Sequence, residues 1–247
     1  MKKNLILRLL KNQSSSMAKK SKQEEELLVD VGSSLSQAER FFEENKQRIT
    51  IIAVALLVLV GGYFGYTQLY LKPLEKEAQN KLAAAQRAFS SDSLRLATEG
   101  NAAQMGFLDI ASDYSATKAG NLANYYAGIS YLHLGEYENA VRLLDEFDSD
   151  DPILSVLAKG AIGDAFLELN QPEDALEYYE AAAEASDNNF VVPFYLKKAG
   201  ITAELETDYE ESLAFFRRIK KDFPESKQAA DVDKYIGRII GKQQGGK

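Results

Sequence analysis

The chain has 247 residues, with 37 Asp+Glu, 29 Lys+Arg, a single His and neither Cys nor Trp. Without Cys there is no disulfide, thiolate-bound zinc or cluster, thiol nucleophile or Cys-linked lipid. One His rules out a His pair at a metal, and a net charge of −8 speaks against nucleic acid, whose phosphates need clustered Lys and Arg.

Few Pro and abundant Ala, Leu, Glu and Tyr favour long helices over a β-sandwich. The extreme N-terminus, MKKNLILRLLKNQSSS, is broken by Arg8 and Lys11 and does not read as a cleavable signal peptide; Met17 opens a second plausible start, MAKKSK. Leu28, Val31, Leu35, Ala38 and Phe42 recur at spacings of three and four, which predicts an amphipathic helix within a tail of residues 1–48, lying on the inner leaflet, with binding to a protein as the alternative.

Residues 49–71, ITIIAVALLVLVGGYFGYTQLYL, contain no charge across 23 positions. As a helix they reach about 34 Å, enough for a hydrocarbon core of about 30 Å. Arg48 and Lys72 mark the ends, and Tyr63, Phe64, Tyr66 and Tyr70 form an aromatic belt at one interface. Gly61 and Gly65 make a GxxxG, a candidate face for contact with another membrane helix, although glycines are frequent in such helices generally. The tail before the span carries 10 Lys+Arg and 7 Asp+Glu; the part after it carries 19 and 30. The short basic side stays in the cytoplasm and the large acidic side crosses, so an uncleaved anchor with N-in, C-out topology is expected.

Between 72 and 120, Leu74, Ala78, Leu82, Ala85 and Phe89 predict a long stalk helix leaving the membrane. SSDSLRLATEGNAA predicts an irregular connection, and Phe107, Ile110 and Tyr114 predict the second helix of a degenerate first repeat.

Self-comparison then exposes a repeat in 121–226. Gly128, Gly163 and Gly200 lie 35 and 37 residues apart; Ala140, Ala175 and Ser212 follow each by 12, and Leu144, Tyr179 and Phe216 by 16. Pro152 and Pro224 follow Gly128 and Gly200 by 24. The segment 113–128 is echoed by 222–237, which makes Gly237 a fourth glycine in the register. These positions are expected to form the contacts within paired antiparallel helices, with Gly120 outside the register and more tolerant of a side chain. Three repeats near 121–154, 156–189 and 193–226 are expected, then a capping helix within 227–247. The layout G…Y…A…F…P resembles the tetratricopeptide repeat, with its usual Trp position taken by Asn124, Lys159 and Leu196. The fold class is therefore all-α: one N-terminal transmembrane helix, then a tetratricopeptide-like α-solenoid.

No nucleophile–base set, phosphate loop or dinucleotide fingerprint accompanies His133, so neither an enzyme nor a cofactor is expected. Asp150–Asp151, Glu173–Asp174 and Glu210–Glu211 read as turn and N-cap residues. RRIKK, 217–221, reads as a charged helix end with Ile219 in the core, a docking patch being the sharper alternative. Helical phase against the glycines places Tyr125, Ile129, Leu132, Gly160, Asp164, Leu167, Lys197 and Ile201 along the groove of the first helices. With Lys197 as its main cation, that groove does not suit a C-terminal carboxylate.

The combination of short tail, anchor, stalk, FLDIASDYSATKAGNLANYYAGISYLHLGEYENAV and a terminal DKYIGR resembles the YfgM-like family, in its Bacteroidota form, over roughly 17–238, with TKAGNLANYYAG at 117–128 carrying most of the likeness. The resemblance implies an ancillary subunit of the Sec translocon in the bacterial inner membrane, its repeat domain in the periplasm. Its implied partners are SecYEG, a PpiD-type peptidyl-prolyl isomerase and unfolded secreted chains. The alternative is a scaffold for cell-envelope assembly or division that uses the same repeat surface.

Overall fold

A computed structural model describes residues 41–245, which fall in two units, 41–66 and 67–245. Apart from Phe42, the amphipathic helix expected in the tail lies outside the described residues, as do both possible starts.

In the first unit, helix α1 covers 41–65. Leu57, Val58, Leu59 and Val60 point in four directions around its axis, yet they are 71%, 68%, 68% and 65% exposed. A helix that is apolar on every side has the pattern of a membrane span rather than of a one-sided amphipathic helix. Among the described residues, the helical stretch Phe41–Ser90 is the one long and apolar enough to cross a membrane.

The chain passes through a π-helical segment, Tyr66–Leu71, into α2, Lys72–Ser90. Ala78, Leu82 and Ala85 of α2 are buried against Phe107 and Ile110, and against Ala119, Ala123 and Ala127 further on. The connection expected to be irregular is partly regular. It holds α3, Leu94–Glu99, and a hairpin of β1, Gly100–Asn101, with β2, Gln104–Met105. Asn101 Oδ1 accepts from the amides of Ala103 and Gln104 at 2.8 and 3.1 Å, so a side chain shapes the two-residue turn where periodicity has too few residues to register. Helix α4, Phe107–Asp113, follows.

Three helix pairs come next: α5, Lys118–Leu134, with α6, Tyr137–Asp145; α7, Pro152–Glu168, with α8, Pro172–Glu184; and α9, Val192–Leu205, with α10, Tyr209–Asp222. A 3-10 turn, Ala229–Asp231, leads into α11, Val232–Gly245. Each helix packs on the one before it from α4 to α11. Local chemistry starts the helices. Thr117 Oγ1 accepts from the Gly120 amide at 2.9 Å, Asp151 Oδ1 from Ile153 and Leu154 at 2.8 and 3.0 Å, and Asp208 Oδ1 from Glu211 at 3.0 Å. Glu75 of α2 also accepts from the Lys118 amide at 2.7 Å, tying the stalk helix to the start of α5.

Within each pair the glycine and the large residue 16 positions later meet directly. A Cβ on Gly128 would come within 2.5 Å of Leu144 Cγ; on Gly163 or Gly200 it would stand 2.7 Å from the ring of Tyr179 or Phe216. The backbone carbonyls of Ala140 and Ala175 close in behind, at 3.2 and 3.1 Å from those Cβ positions. In the third pair Ser212 Oγ donates to the Gly200 carbonyl at 2.6 Å. A further regularity appears in the turns. Seven residues after each glycine, Gly135, Asn170 and Thr207 take left-handed conformations, with φ of 76°, 58° and 64°.

Two expectations need correction. Gly237 is not a packing glycine: it is exposed on α11 and a Cβ there meets nothing within 4 Å, because among the described residues no helix packs on that face. Gly120 is not permissive: a Cβ there would collide with the Tyr114 carbonyl, because α5 starts hard against the end of α4. Instead of a glycine contact, α11 is seated by stacking of Tyr235 on Phe216, centroids 4.9 Å apart, and by Glu204 of α9, which pairs with Arg238 and with Lys242, the latter at 2.9 Å.

Candidate interaction surface

The groove is built by the first helix of each pair. A cleft of about 350 Å³ opens between α5, α7 and α9, and Leu132, Asp164, Leu167 and Ile201 line it together. Its centre is Asp164. Oδ1 of Asp164 accepts from Tyr179 Oη and from Lys198 Nζ, each at 2.5 Å. Burial first, and the neighbouring Asp164 second, push the Tyr179 hydroxyl far above its ordinary value, so it stays a neutral donor. The Lys198 ammonium also lies over the Phe194 ring, 4.9 Å from its centroid. Glu168, whose Oε2 accepts from Tyr137 Oη at 3.3 Å, adds a second carboxylate at the α7 end.

The remaining groove residues lie elsewhere. Lys197 points to a neighbouring cleft between α9 and the 227–231 turn, its Nζ 4.7 Å from the Tyr235 ring centroid. Tyr125 and Ile129 are half-buried in the seam between α5, α6 and α7, where Tyr125 meets Phe147 at 5.2 Å. Burial there pushes the Tyr125 hydroxyl up. Gly160 is buried beneath Tyr195, whose ring occupies the space a side chain would need. The packing of α7 on α5 and α6, and of Tyr195 of α9 over Gly160, puts these three positions into the seams. Lys198, Phe194 and Tyr137 line the clefts without having been read from the sequence. The spacing of Phe194, Lys198, Ile201 and Leu205, four, three and four, was the available signal.

Among the described residues, no group of three or more His, Asp or Glu is placed to hold a metal ion. The family model for the tetratricopeptide repeat matches residues 122–152, which cover most of α5, all of α6 and the turn into α7. The array is a tetratricopeptide-like solenoid. Such repeats are a non-catalytic, protein-binding fold. No curated protein matches the chain.

Proposed function

We propose that this chain is an ancillary subunit of the SecYEG translocon, a membrane-anchored adaptor that brings periplasmic chaperones, a PpiD-type isomerase among them, to emerging secreted chains. The observation that carries the reading is the joining, in one chain, of a helix apolar on all sides to a repeat groove with a polar centre on an apolar floor. The YfgM-like resemblance at 117–128 supplies the translocon. The charge asymmetry across 49–71 supplies the orientation in the inner membrane, with the 1–48 tail in the cytoplasm and the repeats in the periplasm.

On this reading the span is a binding element as well as an anchor. A Cβ built on Gly61 or Gly65 meets nothing within 4 Å, which leaves room for the backbone of a partner helix. Two weak contacts on one tethered chain reinforce each other through effective concentration, so neither needs high affinity.

The test has two readouts in cells that carry the full chain. Replacing 52–70 with an unrelated apolar span is expected to reduce co-purification with SecYEG. A photo-crosslinking residue at Leu167, which is 38% exposed in the groove, is expected to capture the isomerase or a secreted chain. Because the chain has no Cys, Asn189→Cys is a clean topology probe, expected to react with a membrane-impermeant thiol reagent in intact spheroplasts. Recovery of neither SecYEG nor an isomerase with the parent chain defeats this reading in favour of the envelope scaffold.

A further inference from the structure

The cleft beside Asp164 stands out by its charge. Residues 72–247 carry 30 Asp+Glu against 19 Lys+Arg, so the repeat surface is acidic overall. The cleft between α9 and the 227–231 turn, about 360 Å³, nevertheless gathers Lys197, Lys198 and Lys227 around Phe194 and Ile201. Lys198 is held by Asp164 at 2.5 Å. The cleft's own carboxylate, Asp231, pairs with Lys234 at 2.7 Å, and that hydrogen bond, with a smaller contribution from the charge of Lys197, holds it below the usual carboxylate range. Among the described residues neither Lys197 nor Lys227 has an ion pair. Lys197 rests over the Tyr235 ring, which orients an ammonium without neutralising it. Phe194 is 43% exposed, an aromatic side chain left partly in water at the mouth of a basic cleft.

We propose that this cleft binds an internal acidic–apolar segment of the partner: an Asp or Glu side chain between Lys197 and Lys227, with a neighbouring aromatic or branched apolar side chain on Phe194 and Ile201. The proposal rests on the reading of the groove as the partner site and adds the chemistry of what it accepts. Two ammoniums outside any ion pair favour a carboxylate and repel a basic segment, while the apolar floor rejects a merely acidic one, so the pair selects by sequence. With Asp164 taken by Lys198, Glu168 in the adjoining cleft gives the groove a negative end on α7 opposite the ammoniums beyond α9, which favours one direction for a bound segment.

The test selects a random peptide library, with constant residues at both ends so that no free carboxyl terminus contributes, on the full chain in detergent micelles. Selected peptides are expected to be enriched in Asp or Glu within a few positions of Phe, Tyr, Leu or Ile. Selection on the double variant Lys197→Glu, Lys227→Glu is expected to lose that enrichment, and the parent's peptides are expected to bind the variant about tenfold more weakly. Phe194→Ala should weaken the same peptides while keeping their acidic preference, and Lys227→Gln, a neutral change at an exposed turn residue, should weaken them less than the double variant does. An absence of acidic enrichment on the parent, or the same enrichment on the charge-reversed variant, overturns the proposal. If Leu167 still crosslinks to the isomerase or a secreted chain in that event, the adaptor reading stands and only the assigned chemistry falls.

Discussion

The hydroxyl of Tyr179 donates to Asp164 at 2.5 Å, and the ring that carries it packs on Gly163. One side chain therefore joins the helix-pair contact to the floor of the groove. Tyr179→Phe keeps the ring and removes the bond, while Asp164 keeps Lys198. The expected cost is about 1 kcal/mol, read as a lower midpoint in thermal unfolding of the full chain followed by circular dichroism. An unchanged midpoint would mean that the hydroxyl contributes nothing to the fold.

The three kinds of glycine should separate under the same substitution. Gly237→Ala adds a methyl group to open space and gains helix propensity, so stability should hold or rise by up to about 1 kcal/mol. Gly163→Ala presses on the Tyr179 ring, which can tilt, and should cost about 1–2 kcal/mol net. Gly120→Ala presses on the backbone carbonyl of Tyr114, which cannot yield without moving α4, and should cost the most. Melting midpoints in any other order would refute this ranking of the contacts.

Thr207 holds a left-handed conformation at the turn position that Gly135 and Asn170 occupy in the other pairs. A β-branched side chain is strained there by about 1 kcal/mol or more. Thr207→Gly should therefore stabilise the third pair, and Gly135→Val should destabilise the first. Denaturant midpoints read both changes. A loss of stability in Thr207→Gly would show that the threonine side chain makes a compensating contact.

Glu204 couples α11 to pH. Burial alone would raise its pKa, but the hydrogen bond from Arg238 and the ion pairs with Arg238 and Lys242 prevail and hold it below its ordinary value of 4.5. A carboxylate whose folded pKa lies below its unfolded one stabilises the fold fully above the unfolded value. That contribution is lost as pH falls through the folded value. Glu204→Gln should thus melt earlier than the parent at neutral pH, and the gap should narrow as pH drops below the ordinary carboxylate range. A gap that is constant with pH would assign the effect to packing instead.

Much of the molecule was legible before any coordinates. An uncharged run of this length marks a helix long and apolar enough to cross a membrane, and the side chains of α1 are exposed all round its axis. A small residue followed at 12 and 16 by partners is a local rule, because helix pairs close over a few turns, and Gly128, Gly163 and Gly200 obey it. Extending that rule to Gly237 failed because a packing glycine needs a second helix to pack on it. Reading Gly120 as tolerant failed because its obstacle is the end of another helix, which leaves no periodic trace.

The groove was only partly legible. Phase around one helix axis separates inward from outward faces, and it placed Leu132, Asp164, Leu167 and Ile201 in one cleft. It could not tell the open groove from the seams between repeats, where Tyr125, Ile129 and Gly160 are covered, since that depends on how each pair is turned against the next. Nor could it bring Lys227, thirty residues along the chain and in a turn, beside Lys197. Sequence by itself determined the helices, their pairing and the apolar span, because those follow from periodicity and short-range sterics. Tertiary structure alone decided which charges share a cleft, because the angle between successive pairs is set by the fit of side chains such as Tyr179, Tyr195 and Phe216 across their seams.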